Sequence, residues 1–269
     1  MCLLVMAWRT HPRYRLIVAA NRDEFHARPT AAMTPWRDAP DILAGRDLSA
    51  LGTWLAVDRA RRFGIVTNYR DAQARRPEAP SRGGLIPRWL AQAVDPAAYL
   101  RDLEPAAQQY AGFNLLLSDA DHLWYASNRA PRFAEALAPG LYGLSNLLLD
   151  TPWPKLTRVR ERFGRWLGAT SDPAADAAAT REQLFGMLAD RTRSLPEGPD
   201  GAQPLPPEWV DVLSSPFVVH PVFGTRCSTL LLIGYDGAVW MEERRFDAAG
   251  AVTGESGWRL APGEWPAPD

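Results

Sequence analysis

Cys2-Leu3-Leu4-Val5-Met6-Ala7-Trp8, a turn at His11-Pro12-Arg13, and then Leu16-Ile17-Val18-Ala19-Ala20 running into Asn21-Arg22-Asp23-Glu24 open this chain. Two short apolar runs joined by a turn read as paired strands by length and punctuation. The first begins on a cysteine. If Met1 is trimmed, Cys2 carries a thiol and a free α-amine on one residue. A thiol needs a base to take its proton, and an α-amine with an ordinary pKa near 8 suits that task. The competing reading is that Cys2 only starts a buried strand, since free cysteines behave as small buried hydrophobes.

Working outward, further runs at Gly52-Thr53-Trp54-Leu55-Ala56-Val57 and Phe63-Gly64-Ile65-Val66-Thr67-Asn68 also read as strands. Residues 26–50 between them, with prolines and arginines, read as a loop long enough to act as a flap over a site. Leu85, Ile86, Trp89, Leu90, Ala93 and Val94 recur at helical spacing, with Pro87 in the first turn. Strands resume at 113–117, 122–127 and 141–145. Pro152 and Pro154 then open a helix burying Leu156, Val159, Phe163 and Trp166. A third helix is expected over 180–190, with loops at 170–178 and 195–207. A closing hairpin spans 228–235 and 239–245 about Asp236-Gly237. Segregated runs of strands and helices point to an α+β layered fold and argue against regular βαβ alternation.

At 269 residues and 46% hydrophobic, the chain is expected to form one large domain over 1–269. A net charge of -1 implies no general attraction to nucleic acid or anionic membrane. Two cysteines 225 positions apart form no disulfide framework, and no Cys/His cluster has zinc spacing, so a reducing cytoplasm fits and no metal is expected. The apolar start is too short for a signal peptide, and no run approaches a membrane span. Lys155 is the only lysine among the 30 basic residues, an arginine bias that suggests a GC-rich bacterial genome. Oligomeric state is not written in the sequence.

Polar residues fall where apolar runs end: Asn21-Arg22-Asp23-Glu24, Thr67-Asn68-Tyr69-Arg70, Ser127-Asn128-Arg129, Ser145-Asn146 and Gly224-Thr225-Arg226. Asn can donate to an oxyanion, Arg can hold a carboxylate, and Asp can orient an α-ammonium. Each alone reads equally as a turn residue or a surface ion pair. His11, His26, His122 and His220 form no motif, and Cys227 reads as a buried small residue. Most of the eleven tryptophans read as core, while Trp36 and Trp54 are candidates for the wall of an apolar ligand cavity.

Together, Met1-Cys2, Asn21-Arg22-Asp23-Glu24, Gly52-Thr53-Trp54, Thr67-Asn68-Tyr69-Arg70, Ser81-Arg82-Gly83, Gly112-Phe113-Asn114-Leu115, Ser145-Asn146, Leu149-Asp150-Thr151-Pro152-Trp153-Pro154-Lys155 and Gly224-Thr225-Arg226 resemble the NRDE family, also called the transport and Golgi organisation family. The resemblance runs from residue 1 to about 245. That family in turn resembles the N-terminal nucleophile (Ntn) hydrolases, in particular the cysteine-type bile-salt and penicillin V acylases. The resemblance implies a four-layer αββα sandwich with Cys2 as nucleophile, Asp23 as the carboxylate near its amine, and Arg22 as companion. Asn146 would contribute to the oxyanion site, Asn68 would be a second donor, and Arg226 would match a late arginine. The implied reaction is attack on an amide or thioester of a small apolar acyl compound, with no cofactor required. Relatives are linked to haem trafficking and to lipid or acyl-coenzyme A homeostasis. A protein that holds haem or an acyl ligand in the same cleft without turnover is therefore the rival reading, and a scaffold role is a third.

Overall fold

The computed structural model describes residues 2–70, 78–194 and 207–268. In chain order the elements are β1 (Cys2–Trp8), β2 (Tyr14–Phe25), β3 (Thr30–Pro35), β4 (Ile42–Asp47), β5 (Leu55–Asp58), β6 (Phe63–Asn68), α1 (Leu85–Leu90), α2 (Pro96–Leu103), β7 (Phe113–Ser118), β8 (Leu123–Ser127), β9 (Ala134–Ala136), β10 (Gly140–Leu144), α3 (Pro154–Ala169), α4 (Ala177–Leu188), α5 (Pro207–Val212), β11 (Phe223–Gly234), β12 (Val239–Phe246) and β13 (Val252–Leu260). The content is α+β, with two sheets whose strand pairings are antiparallel.

The chain divides into two compact units, one from residues 1–27 with 139–262 and the other from 28–138 with 263–269. The first holds a six-stranded sheet in the order β10-β1-β2-β11-β12-β13. Helix α3 packs on β10 and β1, and α4 packs on β2 and β11. β1 is apolar from Leu3 to Trp8 and β2 is buried from Tyr14 to Asp23, so both alternating sets of side chains are out of water. The second unit holds a seven-stranded meander, β3 through β9 in sequence order. Its helix-side core gathers Leu85, Ile86 and Trp89 of α1, Tyr99 and Leu100 of α2, and Leu115 and Leu117 of β7. The opposite set, including Leu116 and Tyr125, is buried as well.

Several local expectations change. Residues 26–50 are not an open flap, because 30–35 and 42–47 form β3 and β4. Trp36 belongs to the apolar core of the second unit, its indole N–H donating to the Ala44 carbonyl at 3.1 Å. The first expected helix stops at Leu90, and a second short helix starts where the Asp95 carboxylate accepts from the Ala98 N–H ahead of Pro96. The third expected helix begins at Ala177, with Asp176 capping it. The expected loop at 195–207 lies outside the described residues, save Pro207 at the start of α5.

Two of the five polar motifs expected at strand ends lie inside strands: β2 continues through Asn21-Arg22-Asp23-Glu24 to Phe25, and β11 starts two residues before Thr225. Ladder partners and buried acceptors satisfy those polar groups, so nothing forces the strand to stop.

Candidate active site

In the first unit, β2 lies between β1 and β11, and register sets the site. Cys2 stands opposite Arg22, and Arg22 stands opposite Cys227. Directly opposed residues share a face, so both cysteines flank the Arg22 side chain on one face of the sheet. Their strands are two ladder spacings apart, about 9–10 Å, too far for a disulfide. Successive residues alternate faces, so Asn21 and Asp23 lie on the other side, the one the helices cover. There the Asn21 amide donates to the carbonyls of Leu188, the last residue of α4, at 2.9 Å and Pro216 at 3.0 Å. Its oxygen accepts from the Ser228 hydroxyl at 2.6 Å. The neighbours Arg22 and Asp23 therefore do different jobs: Arg22 lies on the thiol side and Asp23 on the helix side.

Asp23 is only 2% exposed and accepts from the Thr225 hydroxyl at 2.7 Å. Burial pushes its carboxyl above the ordinary value, while the positive charges of the amino terminus, Lys155 and Arg22 pull it back. Cys2 keeps part of its surface exposed, yet atoms pack densely around it. Burial raises its thiol, the Asp23 charge adds to that, and the amino terminus and Arg22 oppose it. The net direction is upward, so little thiolate is present at neutral pH. Cys227, fully inside, is raised further by burial and by the Glu243 carboxylate, as expected of a structural cysteine.

Arg226 sits in a bulge of β11, between Thr225 opposite Asp23 and Cys227 opposite Arg22. The extra residue turns its side chain out of the ladder. Its guanidinium donates to the carbonyls of Phe25 at 3.0 Å and His26 at 3.2 Å. Asn146 follows β10 two residues after Leu144, which pairs with Leu4, so it leaves the strand at the level of Cys2. It is 1% exposed with φ 61°. That left-handed backbone suits Asn better than most residues. The turn around it is closed in both directions, the Asp150 N–H donating to the Gly143 carbonyl and the Gly143 N–H to the Asp150 carboxylate, each at 2.8 Å.

The first unit thus brings Cys2, Arg22, Asp23 and Arg226 to adjacent strands with Asn146 at the same level. Asn68 belongs to the second unit, where it ends β6 opposite Phe113. Two histidine rings of the first unit sit against backbone carbonyls. His11 Nε2 lies 3.0 Å from the Thr170 carbonyl, and His26 Nε2 lies 3.0 Å from the His220 carbonyl. Among the described residues, no three His, Cys, Asp or Glu side chains are grouped to hold a metal, and no helix is long and apolar enough to cross a membrane. Two residues beside the candidate site were given no role by the sequence reading: Thr225 and Lys155, each quoted within a motif, Lys155 also as the only lysine.

The model of the family described as Transport and Golgi organisation 2 matches residues 1–248 of this chain. The chain belongs to that family. Among its members, the Transport and Golgi organization protein 2 homolog of Bos taurus is 35% identical over 260 residues, covering 91% of this chain and 92% of that one. The Homo sapiens homolog is 32% identical over 262 residues, with the same two shares. Transport and Golgi organization protein 2 of Drosophila melanogaster is 25% identical over 253 residues, covering 87% of this chain and 88% of that one. All three are animal proteins and lend nothing to the bacterial source suggested by the arginine bias. The Transport and Golgi organisation 2 match spans both compact units and every residue named at the site.

Proposed function

We propose that this protein is a hydrolase of the Ntn type, with the four-layer αββα arrangement, in which Cys2, freed of Met1, opens an amide or thioester of a small apolar acyl compound. One observation carries the reading: a partly exposed cysteine at the start of β1 stands opposite a buried arginine, whose neighbour along β2 is a buried, hydroxyl-held aspartate. Strands buried on both faces while helices touch one of them fit such layering.

In the first step the α-amine takes the thiol proton and the sulfur attacks the acyl carbon. The Asn146 amide donates to the oxygen that becomes negative. The α-ammonium then gives its proton to the departing amine or thiol as the carbon–nitrogen or carbon–sulfur bond breaks, leaving acyl-Cys2. Water, deprotonated by the same amine, splits that thioester and restores the thiol. Asp23 orients the amine and Arg22 favours the thiolate on its own face. Arg226 borders the site from the bulge, and Asn68, in the second unit, is assigned no step. No cofactor enters this chemistry.

The test is a panel of acyl p-nitroanilides and acyl thioesters of rising chain length, with mass spectrometry of the amino-terminal peptide. Release of product with an acyl adduct on Cys2 is expected, and Cys2→Ala is expected to lose at least 1000-fold in rate, on the order of a missing nucleophile. A Cys2→Ala variant at full rate would sink the reading. Saturable uptake of haem or acyl ligand with no product would instead support the carrier role.

A further inference from the structure

Lys155 is 3% exposed in the first turn of α3, although lysines are almost never buried unless paired. Its ammonium donates to the Leu213 carbonyl at 2.8 Å. Leu213 opens a short segment that is bolted to the strands carrying the site. The Pro216 carbonyl accepts from the Asn21 amide at 3.0 Å, and the Val218 N–H donates to the Thr225 hydroxyl at 2.9 Å. The Thr225 N–H returns a bond to the Val218 carbonyl at 2.9 Å, and the Thr225 hydroxyl donates to Asp23. Lysine and aspartate are thus two ends of one hydrogen-bonded frame on the helix-covered face.

The positive charges that act on Asp23 are Lys155 in the first turn of α3, Arg22 beside it in β2 and the amino terminus of the chain. The Cys2 thiol is the titratable neighbour on β1. From β11 the facing group is the Thr225 hydroxyl, and from α4 the Leu188 carbonyl bonds Asn21.

We propose that Lys155 is a positioning residue for the amino-terminal base: its ammonium balances Asp23, so the carboxylate orients the Cys2 α-amine without locking it as an ammonium. This rests on the reading above. An unbalanced carboxylate beside an amine stabilises the protonated form and removes the proton acceptor that a high-pKa thiol needs. A second cation on the same carboxylate opposes that effect. Lysine suits the position because its ammonium is a compact point charge on a flexible stem, whereas the guanidinium of arginine is a rigid fork.

The full-length protein, with removal of Met1 verified by mass, is treated with acetic anhydride across pH, and acetylation of the α-amine is read on the amino-terminal peptide. Lys155→Gln keeps a donor for the Leu213 carbonyl and loses the charge. Its titration midpoint is expected to rise by about one pH unit, roughly tenfold less reactive amine below the midpoint. Lys155→Arg should return most of the shift, and in an Asp23→Asn background Lys155→Gln should add none. An unmoved midpoint in folded Lys155→Gln, or a full shift that persists in the Asp23→Asn background, overturns the proposal. Should Lys155→Gln fail to fold, Lys155→Met carries the same expectation. Acetylation involves no turnover, so a hydrolysis rate insensitive to Cys2 would sink the hydrolase and leave this result standing, and the reverse holds equally.

Discussion

Asn21 shows how a polar residue comes to sit inside a strand. Its amide and oxygen meet two buried carbonyls and the Ser228 hydroxyl, three bonds that a truncation breaks together. Each bond contributes about 1 kcal/mol net, and orphaned buried partners add to the loss. Asn21→Ala is therefore expected to cost about 3 kcal/mol, read as a fall in the urea midpoint with unchanged slope. A loss under about 1 kcal/mol would mean that water replaces the amide. At the same scale, Arg22 and Asp23 were legible as candidates, and the period of two in a strand already separates their faces. Which groups meet them was not legible. Thr225 reaches Asp23 from 202 positions away, and no local pattern announces it.

At the scale of elements, apolar periodicity located the central strands and α3 well, because those segments bury continuous or helically spaced side chains. It missed β13 for a physical reason: that edge strand is mostly exposed and has no apolar run. β3 escaped likewise, with one fully apolar contact residue, Met33, ahead of its terminal proline. Gly52 marks a different constraint, a close approach of two chain segments. A Cβ there would lie 2.4 Å from the backbone carbon and oxygen of Gly83, whose carbonyl accepts from the Thr53 N–H at 3.0 Å. Backbone cannot swing away as a side chain does. Gly52→Ala is expected to destabilise by about 2–3 kcal/mol, toward the top of the overpacking range, in chemical denaturation of the second unit's signal. A neutral substitution would show that the 52–53 and 83 segments separate at little cost.

For the whole molecule, connectivity matters more than composition. The first unit draws β1 and β2 from the start of the chain and every other strand from beyond residue 139, with the seven-stranded unit encoded between them. β1 pairs with β10 on one side and β2 pairs with β11 on the other, so neither edge of the first hairpin is covered until the distant half arrives. A fragment ending at residue 138 is expected to leave residues 2–25 unprotected in amide exchange, since an isolated hairpin is marginal in water. Strong protection of β1 and β2 in that fragment would contradict this account. Pairings of such long separation also predict slow folding relative to a helical protein of equal size.

By itself the sequence determined the strand-rich α+β character, the family, and the place of Cys2 at the head of an apolar strand, because periodicity, turn residues and motif spacing are local properties. Only the tertiary structure decided that Cys227 lies across Arg22, that Thr225 holds Asp23, and that the only lysine is buried on the Leu213 carbonyl with its charge acting on the same carboxylate. Those meetings depend on which strands pair and which helix covers them, and burial of the whole sheet selects that register across some 200 intervening residues.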